Sequence, residues 1–136
     1  MKLLHRGNCV LVKYTPNQDE ASGLFDEVNG RIYISSKLPP LQRECIYYHE
    51  LTHKECYESK CKCWDTSDYL LEYHAMRGEL HKVLARNSIA LNRAYLKTVE
   101  TTLAKCARDP KLWRAHGLAM NKLMRTKAFK RIRKSV

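Results

Sequence analysis

His49-Glu50-Leu51-Thr52-His53 sits inside an apolar, helix-compatible run from Gln42 to Tyr57. On a helix, residues four apart lie roughly 40° from each other around the axis, so His49 and His53 share a face. Two imidazoles stacked in this way can bind one zinc ion. Glu50 is one step round, where its carboxylate can take a proton from a water held beside the ion. The plain alternative is a helix carrying two surface histidines and an ordinary glutamate. A third ligand and a supporting sheet decide between the two.

The chain has 136 residues, enough for one domain with a modest core. No stretch approaches the ~20 apolar residues that span a bilayer. The basic start Met1-Lys2-Leu3-Leu4-His5-Arg6 lacks an apolar region and a cleavage site, so a cytoplasmic location is expected. The 6 cysteines are then expected as thiols. Cys56, Cys61 and Cys63 crowd behind the histidine motif in a Cys-x4-Cys-x-Cys spacing, which is not a common structural zinc spacing. They read as ordinary thiols in a lysine-rich loop, with a second metal site as the alternative. Cys45, one turn before His49, reads as a buried, packed thiol.

Charge is unevenly spread. Residues 1–84 carry 11 Lys and Arg against 12 Asp and Glu, a net of −1; residues 85–136 carry 14 against 2, a net of +12. The expectation is a catalytic part over 1–84 and a helical, strongly basic extension over 85–136 that meets something acidic, within one compact domain or as a subdomain.

Asn8–Tyr14 is a β-branched apolar run closed by Thr15-Pro16-Asn17, a strand and then a turn. Gly23–Val28 and Arg31–Ser36 flank Asn29-Gly30, which predicts a hairpin with a type I′ turn. The first 36 residues therefore predict a three-stranded sheet. Leu38-Pro39-Pro40 breaks the last strand and opens a helix from Leu41 to about Tyr57. A loop follows to Asp65. Thr66 or Ser67 caps a second helix reaching Ala85, and a third covers Ser88 to Ala107. Asp109-Pro110 starts a short segment through Trp113, which Gly117 is expected to interrupt.

A catalytic zinc takes three protein ligands and leaves one position open. Glu72, nineteen residues beyond His53, returns over the metal if the two helices run antiparallel. His74 lies about 200° from Glu72 around a helix, so a regular helix cannot present both. Asp68, Cys61 and Cys63 remain alternatives.

The order of sheet, hairpin strand, His-Glu-x-x-His helix and a helix bearing Glu72-Tyr73-His74-Ala75 resembles a small zincin-type metallopeptidase of α+β class. More narrowly it resembles the ImmA/IrrE metallo-endopeptidases of mobile elements, phages and bacteria. Asn29–Ile34, Arg43-Glu44, His49–His53 and the Glu-x-x-Ala of Glu72–Ala75 carry the likeness, over about residues 28 to 80. The resemblance implies His49, His53 and Glu72 as zinc ligands, Glu50 as general base, and a helix-turn-helix repressor as substrate. One position departs. Four residues after the ligand glutamate such enzymes carry Asn or Asp to hold a ligand histidine, and here stands Met76; either Glu79 or a backbone carbonyl substitutes, or the site is weak or specialised.

Tyr69, Tyr73, His74 and Arg77 are the candidate donors to a tetrahedral oxyanion. The Arg31–Ser36 strand is the expected edge for an extended peptide. In the last dozen residues Arg125, Lys127, Lys130, Arg131, Arg133 and Lys134 read either as a solvated, frayed terminus or as an arm contacting phosphate. An acidic protein partner would explain them equally, and a membrane surface less well. Two further readings compete: a DNA- or protein-binding regulator keeping its metal for structure, and a SprT-like, DNA-associated protease.

Overall fold

The computed structural model describes residues 2–5, 8–15 and 22–136. It is α+β. Strands β1 (Lys2–His5), β2 (Asn8–Thr15), β3 (Gly23–Asp26) and β4 (Arg31–Ser35) form a four-stranded sheet in the order β1-β2-β4-β3. The expected turn at Pro16-Asn17 lies outside the described residues. β2 runs parallel to β4, while β1–β2 and β3–β4 are antiparallel. The sheet thus has one strand more than the sequence predicts, and β4 is internal. Among the described residues the free edge on the helical side is β3.

The hairpin itself is present, with a different turn. Asp26 pairs with Arg31, so residues 27–30 form a four-residue loop. Gly30 takes a φ of 71°, and Asn29 does not share the left-handed region. The Gly30 amide donates to the Asp26 carbonyl at 2.8 Å, and side chains support the loop. Asp26 Oδ1 accepts from the Val28 amide at 2.9 Å, and Asn29 Oδ1 accepts from the Arg31 amide at 3.0 Å.

Helix α1 (Pro40–Glu58) begins with proline in its first turn. It is buried on two sides. Tyr47 and Leu51 pack on Phe25, Ile32 and Ile34 of the sheet, while Cys45 faces a helical core. After a 3₁₀ turn (Lys62–Asp65) come α2 (Asp68–Arg86) and α3 (Ile89–Cys106), capped by the hydroxyls of Ser67 and Ser88. Asp109 caps α4 (Pro110–Leu112), which runs through a π-helical turn (Trp113–Gly117) into α5 (Leu118–Met124). Gly117 does not break the helix. The Trp113 ring occupies the space where a side chain at 117 would sit.

The last helix, α6 (Lys127–Lys134), is not a frayed end. Thr126 caps it, and Phe129 and Ile132, one turn apart, are buried with Met76, Leu80, Tyr95 and Leu123. Residues of the basic half therefore share a core with those of the motif half. No helix among the described residues is long and apolar enough to cross a membrane.

Gly78 sets the distance between α1 and α2. A Cβ there would lie closer than 3.0 Å to three side-chain atoms of Thr52. Thr52 has little room to yield, because its hydroxyl donates to the Tyr48 carbonyl at 2.8 Å and accepts from Lys82 Nζ at 2.9 Å. Replacing a mid-helix glycine by alanine ordinarily gains about 1 kcal/mol. Overpacking costs ~1–3 kcal/mol and prevails in a crossing this tight. Gly78→Ala is therefore expected to lower stability by about 1–2 kcal/mol in denaturant unfolding; a variant more stable than the parent would show that the crossing can relax.

Candidate metal centre

The α1–α2 crossing brings His49, His53 and Glu72 together. The two imidazoles stand edge to face on α1, with ring centroids 4.9 Å apart. Both Nε2 atoms turn to the same carboxylate: His49 to Glu72 Oε1 at 3.0 Å, His53 to Glu72 Oε2 at 3.3 Å. One ligand atom from each residue falls within 4.8 Å of the other two. Atoms about 2.0–2.2 Å from a tetrahedral zinc lie roughly 3.3–3.6 Å from one another, and each nitrogen–oxygen spacing, made to its own oxygen of Glu72, is near that length. The donor set of two imidazoles and a carboxylate suits a divalent cation of the zinc kind. These residues fit the metal that the motif implies.

Glu79 completes the arrangement. His49 Nδ1 lies 3.1 Å from its Oε1, the place from which a carboxylate holds the Nδ1 proton and leaves Nε2 to a metal when one is bound. This answers the question raised by Met76. Residue 76 points into the helical core, whereas residue 79, seven positions after Glu72, returns to the histidine side. Glu79 stands about one helical turn beyond Met76.

The electrostatics follow from burial. Burial by itself disfavours a charged His49, but the carboxylates of Glu72 and Glu79 outweigh it and hold its pKa well above the usual imidazole range. Burial likewise raises Glu72, yet the hydrogen bonds from His116, His49 and His53 overcome it and leave that carboxyl well below its ordinary value. Glu50 and Glu79 are pushed up chiefly by burial, with His49 opposing in both cases. A dication between the imidazoles and Glu72 would favour the ionised form of all three acids.

The site opens into a cavity of about 1020 Å³. Gly23 and Phe25 of β3, Thr102 and Arg108 line it, together with Glu50, His49, His53 and Glu72. The edge strand beside the cleft is β3, not the Arg31–Ser36 segment, because β2 occupies the other side of β4.

Of the four expected oxyanion donors, none lines this cavity. Tyr69 and Tyr73 stack on each other, with centroids 6.4 Å apart, and pack against the helical core. Arg77 is exposed. His74 turns to Cys61, and Cys61 and Cys63 belong to that second cluster rather than to this one. Asp68 is exposed at the start of α2 and does not reach the cavity.

His116 is the residue the sequence does not announce. It projects from the π-helical turn, lines the cavity, and places Nε2 3.3 Å from Glu72 Oε1. Its buried Nδ1 has no hydrogen-bond partner among the described residues. The available signal was Gly117, which marks the helix irregularity; such π-turns recur at functional sites. Trp64, with its ring 6.1 Å from that of His53, is a second unforeseen neighbour. The six basic residues of the C-terminus, Arg125, Lys127, Lys130, Arg131, Arg133 and Lys134, are all exposed and none lines the cavity.

Glu79→Gln should keep the fold and weaken zinc binding by about 10–100-fold, since it loses the charge that orients His49. Competition against a chromogenic chelator checks this, and unchanged affinity would remove Glu79 from the site. Compared with family models, with curated proteins and with solved structures, the chain matches none.

Proposed function

We propose that this chain is a zinc-dependent endopeptidase with a zincin-like site of the ImmA/IrrE type. On this reading it cleaves a specific intracellular protein, and the resemblance makes a helix-turn-helix repressor of a phage or mobile element the substrate class. The observation that carries the reading is the convergence of His49, His53 and Glu72 in an open cleft with Glu50 beside them. A structural zinc site is closed by four protein ligands, whereas this group supplies three and faces a cavity.

Zinc held there supplies Lewis acidity towards a water and the scissile carbonyl. Glu50 takes the proton and returns it to the leaving amine. Burial has already made it a stronger base than a solvated carboxylate, although His49 and His53 temper the effect. Glu79, 3.1 Å from Nδ1, orients the His49 ring. His116, on the cavity wall, donates a hydrogen bond to the developing oxyanion. The edge of β3 receives the substrate as an extended strand.

Glu50→Gln should abolish cleavage, by ~10²–10⁴-fold or more, while zinc content stays at the parental value. The measurement is profiling of new protein N-termini in a cell lysate incubated with each form, beside metal analysis. Termini that appear equally with both forms would sink the peptidase reading. His116→Gln should cut turnover by about 10²-fold with zinc retained; loss of the metal instead would make His116 a ligand.

One observation favours a second reading, a regulator that binds DNA or an acidic protein. Phe129 and Ile132 anchor α6, so Lys127, Lys130, Arg131 and Lys134 are displayed on a fixed helix instead of trailing in solvent. A pure binding module would be indifferent to Glu50→Gln. A peptidase using this helix to find DNA-bound substrate would lose only cleavage.

A further inference from the structure

Away from the cleft, the turn after α1 gathers three thiols and an imidazole. Ligand atoms of Cys56, Cys61, Cys63 and His74 all lie within 4.8 Å of one another, and Cys61 Sγ stands 3.6 Å from His74 Nδ1. We propose that these four residues bind a second zinc ion in a closed, structural site, independent of the one at His49, His53 and Glu72.

The backbone explains how an unusual spacing makes a compact site. The Cys61 amide donates to the Cys56 carbonyl at 2.8 Å, and the Lys60 amide to the Tyr57 carbonyl at 3.2 Å. That pair of bonds is a Schellman motif, which brings the side chain two positions past the cap against the one in the last helical turn. Here those two side chains are the thiols of Cys61 and Cys56. The residue between cap and thiol is Lys60 with a φ of 57°, where glycine is the usual occupant. A lysine in the left-handed region costs of order 1 kcal/mol and persists where surroundings over-determine it. A metal pinning the residues on both sides would do so. The 3₁₀ turn then carries Cys63 back into the same space, and His74 descends from α2.

The distances suit zinc. With Zn–S near 2.3 Å and Zn–N near 2.0–2.1 Å, the sulfur–nitrogen edge of a tetrahedron is roughly 3.6 Å. Four protein ligands leave no open position, so the site has no catalytic vacancy. Its role is tethering. Trp64 follows Cys63 directly, and its ring packs against His53, Tyr57 and Phe25 at centroid distances of 6.1, 5.2 and 6.3 Å. Fixing Cys63 therefore fixes the tryptophan that supports a ligand histidine and the β3 edge. It also settles His74, which lies on the face of α2 away from Glu72.

The test uses the full chain with the first site removed. His49→Ala/His53→Ala protein, purified under reducing conditions without chelator, should hold one zinc per chain by elemental analysis, and adding His74→Ala should remove it. Cobalt exchanged into the double variant should show thiolate-to-cobalt charge transfer, and Cys56, Cys61 and Cys63 should resist alkylation until a chelator is added. A double variant without zinc and with freely alkylated thiols overturns the site, as does cobalt bound without thiolate bands. Should the double variant fail to fold, native mass spectrometry of the parent decides: two zincs, with only one lost in Glu72→Ala, supports the site, and a single zinc lost entirely in Glu72→Ala refutes it.

Discussion

The contact of Gly78 with Thr52 is the constraint on which the centre depends. It lets α1 and α2 approach closely enough for two carboxylates of one helix to meet one histidine of the other, at 3.0 and 3.1 Å. Glu72 and Glu79 are seven residues apart, two helical turns, and His49 lies between their heads. Lys82 reinforces the crossing by donating both to Thr52 and to Glu55 of α1. A helix propensity argument alone would penalise Gly78. Its presence makes sense only as room for a neighbouring helix, and that room is what gives the site its geometry.

Buried acids near a metal are a liability without one. Glu50, Glu72 and Glu79 are all deeply placed, and their environments push them apart: Glu72 is held ionised by three imidazoles, while burial lifts Glu50 and Glu79. Such divergence among neighbouring carboxylates separates their roles. The ionised one suits a ligand, the lifted one in the cleft suits a base, and the lifted one behind His49 suits an orienting partner. The same three groups on a surface would be nearly indistinguishable.

Local chemistry made much of this legible. Ser67, Ser88 and Asp109 announce their helices because caps act within three residues, and the histidine motif needs only a helical period. Long-range placement was not legible. Asn29-Gly30 predicts a hairpin but says nothing about β2 pairing in parallel with β4, which moves the free edge to β3. His116 reaches Glu72 through a π-turn whose altered register leaves no mark in the hydrophobic pattern. The Cys-x4-Cys-x-Cys run looked unremarkable because its fourth member comes from another helix, and because the turn that pairs Cys56 with Cys61 lacks its customary glycine.

The two charged regions act at different ranges. At physiological salt, the charges on the solvent face of α6 are screened over ~8 Å. Encounter with a partner is another matter, since a fixed cluster of cations raises the rate at which an acidic surface arrives. Anchoring by Phe129 and Ile132 matters here, because a helix held on the core presents its cations in one geometry, with Arg133 also lying 5.1 Å over the Phe129 ring. An arm frayed in solvent would give attraction without orientation. The shared core thus holds a fixed display of cations on the same scaffold as a site whose own electrostatics are set within hydrogen-bonding distance.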